Sequence, residues 1–91
     1  MRAAFVAAPE GARGVFPQFG YAIGRGCGKA VTRNTLRRRA RAVARAEAET
    51  LPAGAFLLRF DPGAGSEAPA RLRADVARAL RRAAEAGEGA S

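Results

Sequence analysis

The sequence has no histidine, no tryptophan, one cysteine, and only 8 acidic residues against 16 basic ones. Each shortage excludes something. Cys27 alone cannot close a disulfide within the chain, and one cysteine without histidine cannot complete a structural zinc site. Asp61 and Asp75 stand isolated, one at an expected turn and one on an expected helix, so no acid–base pair or metal cluster is evident. Catalytic residues, metal ligands and a cofactor bound by the protein alone are therefore expected to be absent. Cys27, set between Gly26 and Gly28, reads as a small packing residue and not a reactive thiol. No run approaches the roughly 20 apolar residues of a membrane span, and residues 1–10 lack the long apolar core and cleavage pattern of a secretory signal. The expectation is a cytoplasmic protein with neither a membrane nor a small-molecule substrate as partner.

What is present is small and cationic. A chain of 91 residues falls within the size of one domain. It can bury about 60% of the surface its unfolded form would expose. Its 48% hydrophobic content is mostly alanine, with five phenylalanines and one tyrosine, so the core must come from thin helix faces and a few large side chains. One domain over residues 1–86 is expected, followed by a flexible tail over 87–91. The net charge of +8 implies a polyanionic partner. Arg25, Lys29, Arg33, Arg37, Arg38, Arg39, Arg41 and Arg45 lie in one stretch without a single acid, and the basic and acidic residues elsewhere cancel. The bias toward arginine fits phosphate, because the planar guanidinium binds oxygens in pairs.

The order of elements reads as α+β. Residues 3–8 (AAFVAA), closed by Pro9, suit a short strand, and residues 10–17 a turn. Residues 19–24 (FGYAIG) predict a second strand with Phe19, Tyr21 and Ile23 on one face. A helix is expected from residue 31 or 32 to about 49, with Thr32 as N-cap and Leu36, Ala40 and Val43 as its buried stripe. Residues 55–60 (AFLLRF) predict a third strand. A last helix is expected over 67–86, capped by Ser66, with a stripe of Leu72, Val76, Ala79, Leu80 and Ala83. The result is a small sheet with a central basic helix in a β-α-β unit and a C-terminal helix.

Winding the first helix at about 100° per residue from Leu36 places Asn34, Arg33, Arg37, Arg38, Arg41 and Arg45 in an arc from about 60° to 200°. One exposed ridge of five guanidinium groups and an amide is expected, with Arg39 alone on the other flank. Glu47 falls at about 20°, among the apolar positions, so the last turn is expected to project past the sheet into water. A merely solvated face mixes charges of both signs; this one carries none but positive until Glu47. Charge alone does not separate DNA from RNA, although nothing here resembles a helix-turn-helix or a zinc finger. The aromatics Phe5, Phe19, Tyr21 and Phe56 suit core packing better than base stacking, with Tyr21 the best candidate for a partly exposed exception.

Residues 24–41, GRGCGKAVTRNTLRRRAR, resemble the signature of the bacterial ribonuclease P protein subunit: a basic strand end, a Gly-(Lys/Asn)-Ala-Val step, then Arg-Asn and a regular series of basic residues. The matching positions are Arg25, Gly28, Lys29, Ala30, Val31, Arg33, Asn34, Arg37, Arg38 and Arg41. Residues 5–9 and 55–63 are similar to the family's flanking strands. The likeness covers residues 3–83 and is strongest in the middle.

The resemblance implies a left-handed crossover through the basic helix, in a fold shared with a ribosomal-protein domain. It implies a subunit that binds a catalytic RNA and holds the 5′ leader of precursor tRNA in a cleft between the basic helix and the sheet. In that family the RNA performs the Mg²⁺-dependent hydrolysis, so this chain counts as an enzyme only as part of a holoenzyme. Arg25, Lys29, Arg33, Asn34, Arg37, Arg38, Arg41 and Arg45 are the expected RNA-binding residues, and Phe5 and Tyr21 the candidates for stacking on the leader. Two features depart from the family. Met1 lies almost at the first strand where an N-terminal helix is usual, which implies a short form with an open-sided cleft or a start further upstream. Thr35 stands where another basic residue is common, which removes one phosphate contact. A general or ribosome-associated RNA-binding protein is the alternative that charge alone leaves open, and a nuclease in its own right lacks catalytic groups.

Overall fold

A computed structural model describes residues 1–7 and 17–89 of the chain. Three strands form one mixed sheet, β1 (Arg2–Ala7), β2 (Gln18–Ala22) and β3 (Gly54–Arg59), in the order β1-β3-β2. Helix α1 (Ala30–Glu47) links β2 to β3, and helix α2 (Pro69–Gly89) follows β3. β3 takes the centre because it carries the largest apolar side chains, with Phe56 and Leu58 buried on one face. β1 pairs with it antiparallel and β2 parallel, as a β-α-β crossover through α1 requires.

Register sets the rows of the core. Phe5 and Phe19 are both paired with Phe56, and their rings stack on it at centroid distances of 4.5 and 5.5 Å. Ala3, Leu58 and Tyr21 form the next row on that face. α2 lies against β1 and α1, and the layer between helices and sheet is filled by Leu36, Leu58, Leu72, Val76 and Leu80. Burying each such side chain contributes about 1.5–3 kcal/mol. Ala40 and Ala44 on α1, and Ala83 and Ala84 on α2, are buried too, and side chains this small let packed helices approach closely.

Several boundaries differ from the sequence-based expectation. β1 runs Arg2–Ala7 and so begins one residue before the expected 3–8; Ala8, Pro9 and all but Pro17 of the turn expected over residues 10–17 lie outside the described residues. Thr32 is not the N-cap. Gly28 turns the chain at φ +121°, Lys29 is extended, and the first intrahelical bond runs from the Arg33 N–H to the Lys29 carbonyl, so α1 begins at Ala30. Ser66 does not cap α2 either: it closes a 3-10 turn (Ala64–Ser66), and the helix starts at Pro69, a residue suited to a first helical position because it has no N–H to leave unpaired. α2 runs on through Gly89, so the tail expected over 87–91 is helical in part. The alanines before it propagate the helix and offset the cost of Gly87 and Gly89, while residues 90–91 lie outside the described residues.

Candidate nucleic-acid interface

The start of α1 is clamped before the helix begins. A 3-10 turn (Arg25–Cys27) buries Cys27, whose thiol donates to the backbone carbonyl of Asp61 at 3.3 Å. The Cys27 and Gly28 N–H groups donate to the Gly24 and Arg25 carbonyls. Gly65 packs directly on this turn: a Cβ there would stand 2.6 Å from both the Cys27 carbonyl oxygen and the Thr32 methyl. The half-buried Thr32 side chain thus fills the seam between α1 and the loop that follows β3.

From that clamp the helix presents its arginines unequally. Asn34, Arg38, Arg41 and Arg45 are exposed, as are Arg25 and Lys29 at the preceding turn. Arg33 and Arg37 are half-buried, so the uniform ridge of five is divided into three open guanidinium groups and two that lean into the flank. The cause is alanine. Ala44, and not Val43, is fully buried with Leu36 and Ala40, which turns the helix by about 40° toward Arg33 and Arg37. Arg33 Nε is buried without a hydrogen-bond partner, while Arg37 donates to the Asn34 side-chain oxygen at 3.0 Å. Arg39 is half-buried on the opposite flank.

Among the described residues, none of these eight cations forms an ion pair. Nor is there an acidic residue in the first turn of α1, where the helix dipole already favours an anion. Glu47 corrects another expectation. It does not project into water but is only 15% exposed, accepting two hydrogen bonds from Arg81 of α2 at 2.7 and 3.2 Å. Its place among the apolar positions was visible in the helical period; its partner, 34 residues away, was not.

Tyr21 is half-buried on β2, the sheet edge nearest α1. Burial raises its phenol pKa, while the positive charges of Arg41 and Arg45 pull it down, which places all three in one electrostatic neighbourhood. Phe5 is elsewhere. It stands on β1, across the whole sheet from β2, with its ring stacked on Phe56. The two stacking candidates are therefore not brought together. Val31, matched to the family signature but not counted among the expected RNA-binding residues, is exposed beside Arg38, a position readable from the helical period at about 220°.

Among the described residues no group of three or more His, Cys, Asp or Glu side chains could hold a metal ion, and no helix is long and apolar enough to cross a membrane. What the surface offers is anion binding by guanidinium groups spread along about 18 Å of helix from Arg33 to Arg45. The sequence model of the family described as Ribonuclease P matches residues 2–84. The fold is similar to the solved structure of a Staphylococcus aureus RNase P protein mutant with defective mRNA degradation activity, at a TM-score of 0.76 and 16% identity. That match covers 89% of this chain and 66% of the other, so the chain spans about two thirds of the length of the protein it resembles.

Proposed function

The chain belongs to the bacterial ribonuclease P protein family, and from that premise we propose that it is the protein subunit of ribonuclease P, binding the catalytic RNA and the 5′ leader of precursor tRNA. In this reading the subunit promotes removal of the leader while the RNA carries out the Mg²⁺-dependent hydrolysis. The observation that carries the proposal is the row of cations on α1 without acidic partners among the described residues. Like charges on neighbouring turns repel one another, and a phosphate backbone relieves that repulsion.

The residues divide the work by exposure. Arg38, Arg41 and Arg45 reach phosphate oxygens from the open side of the helix. Asn34 holds one end of the Arg37 guanidinium, which orients it before RNA arrives. Tyr21, half-buried beside Arg41 and Arg45, offers a ring edge and a hydroxyl at the border between helix and sheet, where a single strand can lie. In this reading the Mg²⁺ ions of the reaction are held by the RNA.

The test is reconstitution. Added to a bacterial ribonuclease P RNA at low Mg²⁺, the chain should raise the rate of precursor-tRNA cleavage, and no effect at any Mg²⁺ concentration rejects the proposal. Equal affinity for unrelated structured RNAs would favour a general RNA-binding role instead.

A further inference from the structure

Val31 lies in the first turn of α1 with 77% of its surface exposed; among the described residues, only Val6 is another large hydrophobic side chain left so open. A lone exposed apolar residue is ordinary. This one is set apart by its neighbours and by its chemistry. At the i+3 and i+7 positions on the same helix face stand Asn34 and Arg38, both exposed members of the cationic surface. Between them Thr35 turns its hydroxyl back to donate to the Val31 carbonyl at 3.0 Å, so that group is engaged by the helix itself. A β-branched residue is also a poorer helix former than alanine, and here no packing offsets the difference.

An apolar side chain with an amide and a guanidinium group along the same exposed helix face has the makings of a small interface, where an apolar contact is bordered by polar ones. A nucleic acid held by Asn34 and Arg38 must pass over or beside Val31. Its phosphates gain nothing from two methyl groups, whereas ribose carbons and base faces do. We infer that Val31 packs against the sugar and base of a nucleotide whose neighbouring phosphate is held by Arg38, adding to α1 a contact that does not depend on salt. This inference rests on the reading of the chain as an RNA-binding subunit.

The experiment compares the full chain with Val31→Ser and Val31→Leu, using a bacterial ribonuclease P RNA transcript and measuring affinity across a range of salt. Val31→Ser should weaken binding about tenfold at every salt concentration, with the slope of log affinity against log salt unchanged, because no counterion is released by an apolar contact. Val31→Leu should keep affinity within about twofold, since its side chain still covers apolar surface. Both variants should melt within a few degrees of the unaltered chain, because an exposed side chain supports no core and helix propensities differ by about 0.7 kcal/mol at most. Undiminished binding by Val31→Ser, a changed slope, or a failure of leucine to restore affinity overturns the inference while leaving the functional reading intact. Absence of RNA binding by the unaltered chain overturns both.

Discussion

The two helices carry similar numbers of arginines and differ in what those arginines face. On α2, Arg71 lies 3.9 Å from Glu67, Arg78 lies 3.3 Å from Asp75, and Arg81 reaches across to Glu47 at 2.7 Å. On α1, among the described residues, no arginine has such a partner. The difference teaches that a basic surface is defined by missing acids more than by abundant bases. Exposed pairs like those on α2 contribute about 0–1 kcal/mol to stability. Their larger consequence is that they occupy three of the arginines of α2 and leave Arg73 and Arg82 without an ion pair among the described residues. Glu47 occupies Arg81 at the point where the two helices meet.

Charge reversal should widen that contrast more than any other change. Replacing Arg38, Arg41 and Arg45 together with Glu is expected to lower affinity for a structured RNA by at least about a thousandfold, measured by filter binding or anisotropy. Replacing Arg71 and Arg78 with Glu should lower it by about tenfold or less, through long-range charge alone. Neutralising the α1 set with Ala should also flatten the dependence of log affinity on log salt by about 0.7–0.9 for each contact removed. Equal losses from the two helices would erase the distinction between paired and unpaired arginines.

A smaller effect is expected from the clamp that aims α1. Gly65→Ala places a methyl 2.6 Å from a backbone carbonyl oxygen, where little can yield, whereas a methyl at Gly24 meets nothing within 4 Å. The first substitution should cost about 1–3 kcal/mol of stability. For a domain of this size that corresponds to a fall in Tm of several degrees, about 4–8 °C per kcal/mol. Gly24→Ala should leave the transition in place. A calorimetric scan in which both variants melt alike would show that the seam between Thr32 and the 64–66 turn does not hold the helix.

The sequence made parts of this molecule legible because large side chains mark their own surroundings. Phe56 and Leu58 announced the central strand, and Leu72, Val76 and Leu80 announced the buried face of α2, since nothing else accommodates such a pattern. Alanine carries no such mark in a chain full of alanine. Ala44 was therefore overlooked as a core residue and the arginine ridge was drawn about 40° from its true setting, with Arg33 and Arg37 counted as fully exposed. Thr32 and Ser66 were reasonable caps by residue type, but the turns at Gly28 and Gly63 decided where the chain entered each helix. The pairing of Glu47 with Arg81 depended on how two helices cross, which no local pattern encodes. What did survive is the acid-free stretch around α1, because the absence of a residue type over that span is visible without any coordinates.

The smallest expected effect is also the most local probe of the α1 surface. Tyr21 is the chain's one tyrosine and there is no tryptophan, so absorbance reports its ionisation without interference. Burial holds its phenol above the ordinary value of about 10, against the downward pull of Arg41 and Arg45. A phenol raised in this way favours the folded protein below its ordinary pKa, and that contribution disappears as pH climbs through the folded value. Arginine stays charged throughout this range, so its pull on Tyr21 is constant until a polyanion neutralises it. Inorganic polyphosphate, which survives alkaline pH better than RNA, should then move the Tyr21 midpoint further upward. Arg41→Ala should move it in the same direction without any ligand. Arg82→Ala, on α2, should leave it where it was. A midpoint indifferent to polyphosphate, or equally sensitive to Arg82, would mean that the anion settles somewhere other than beside β2 and α1.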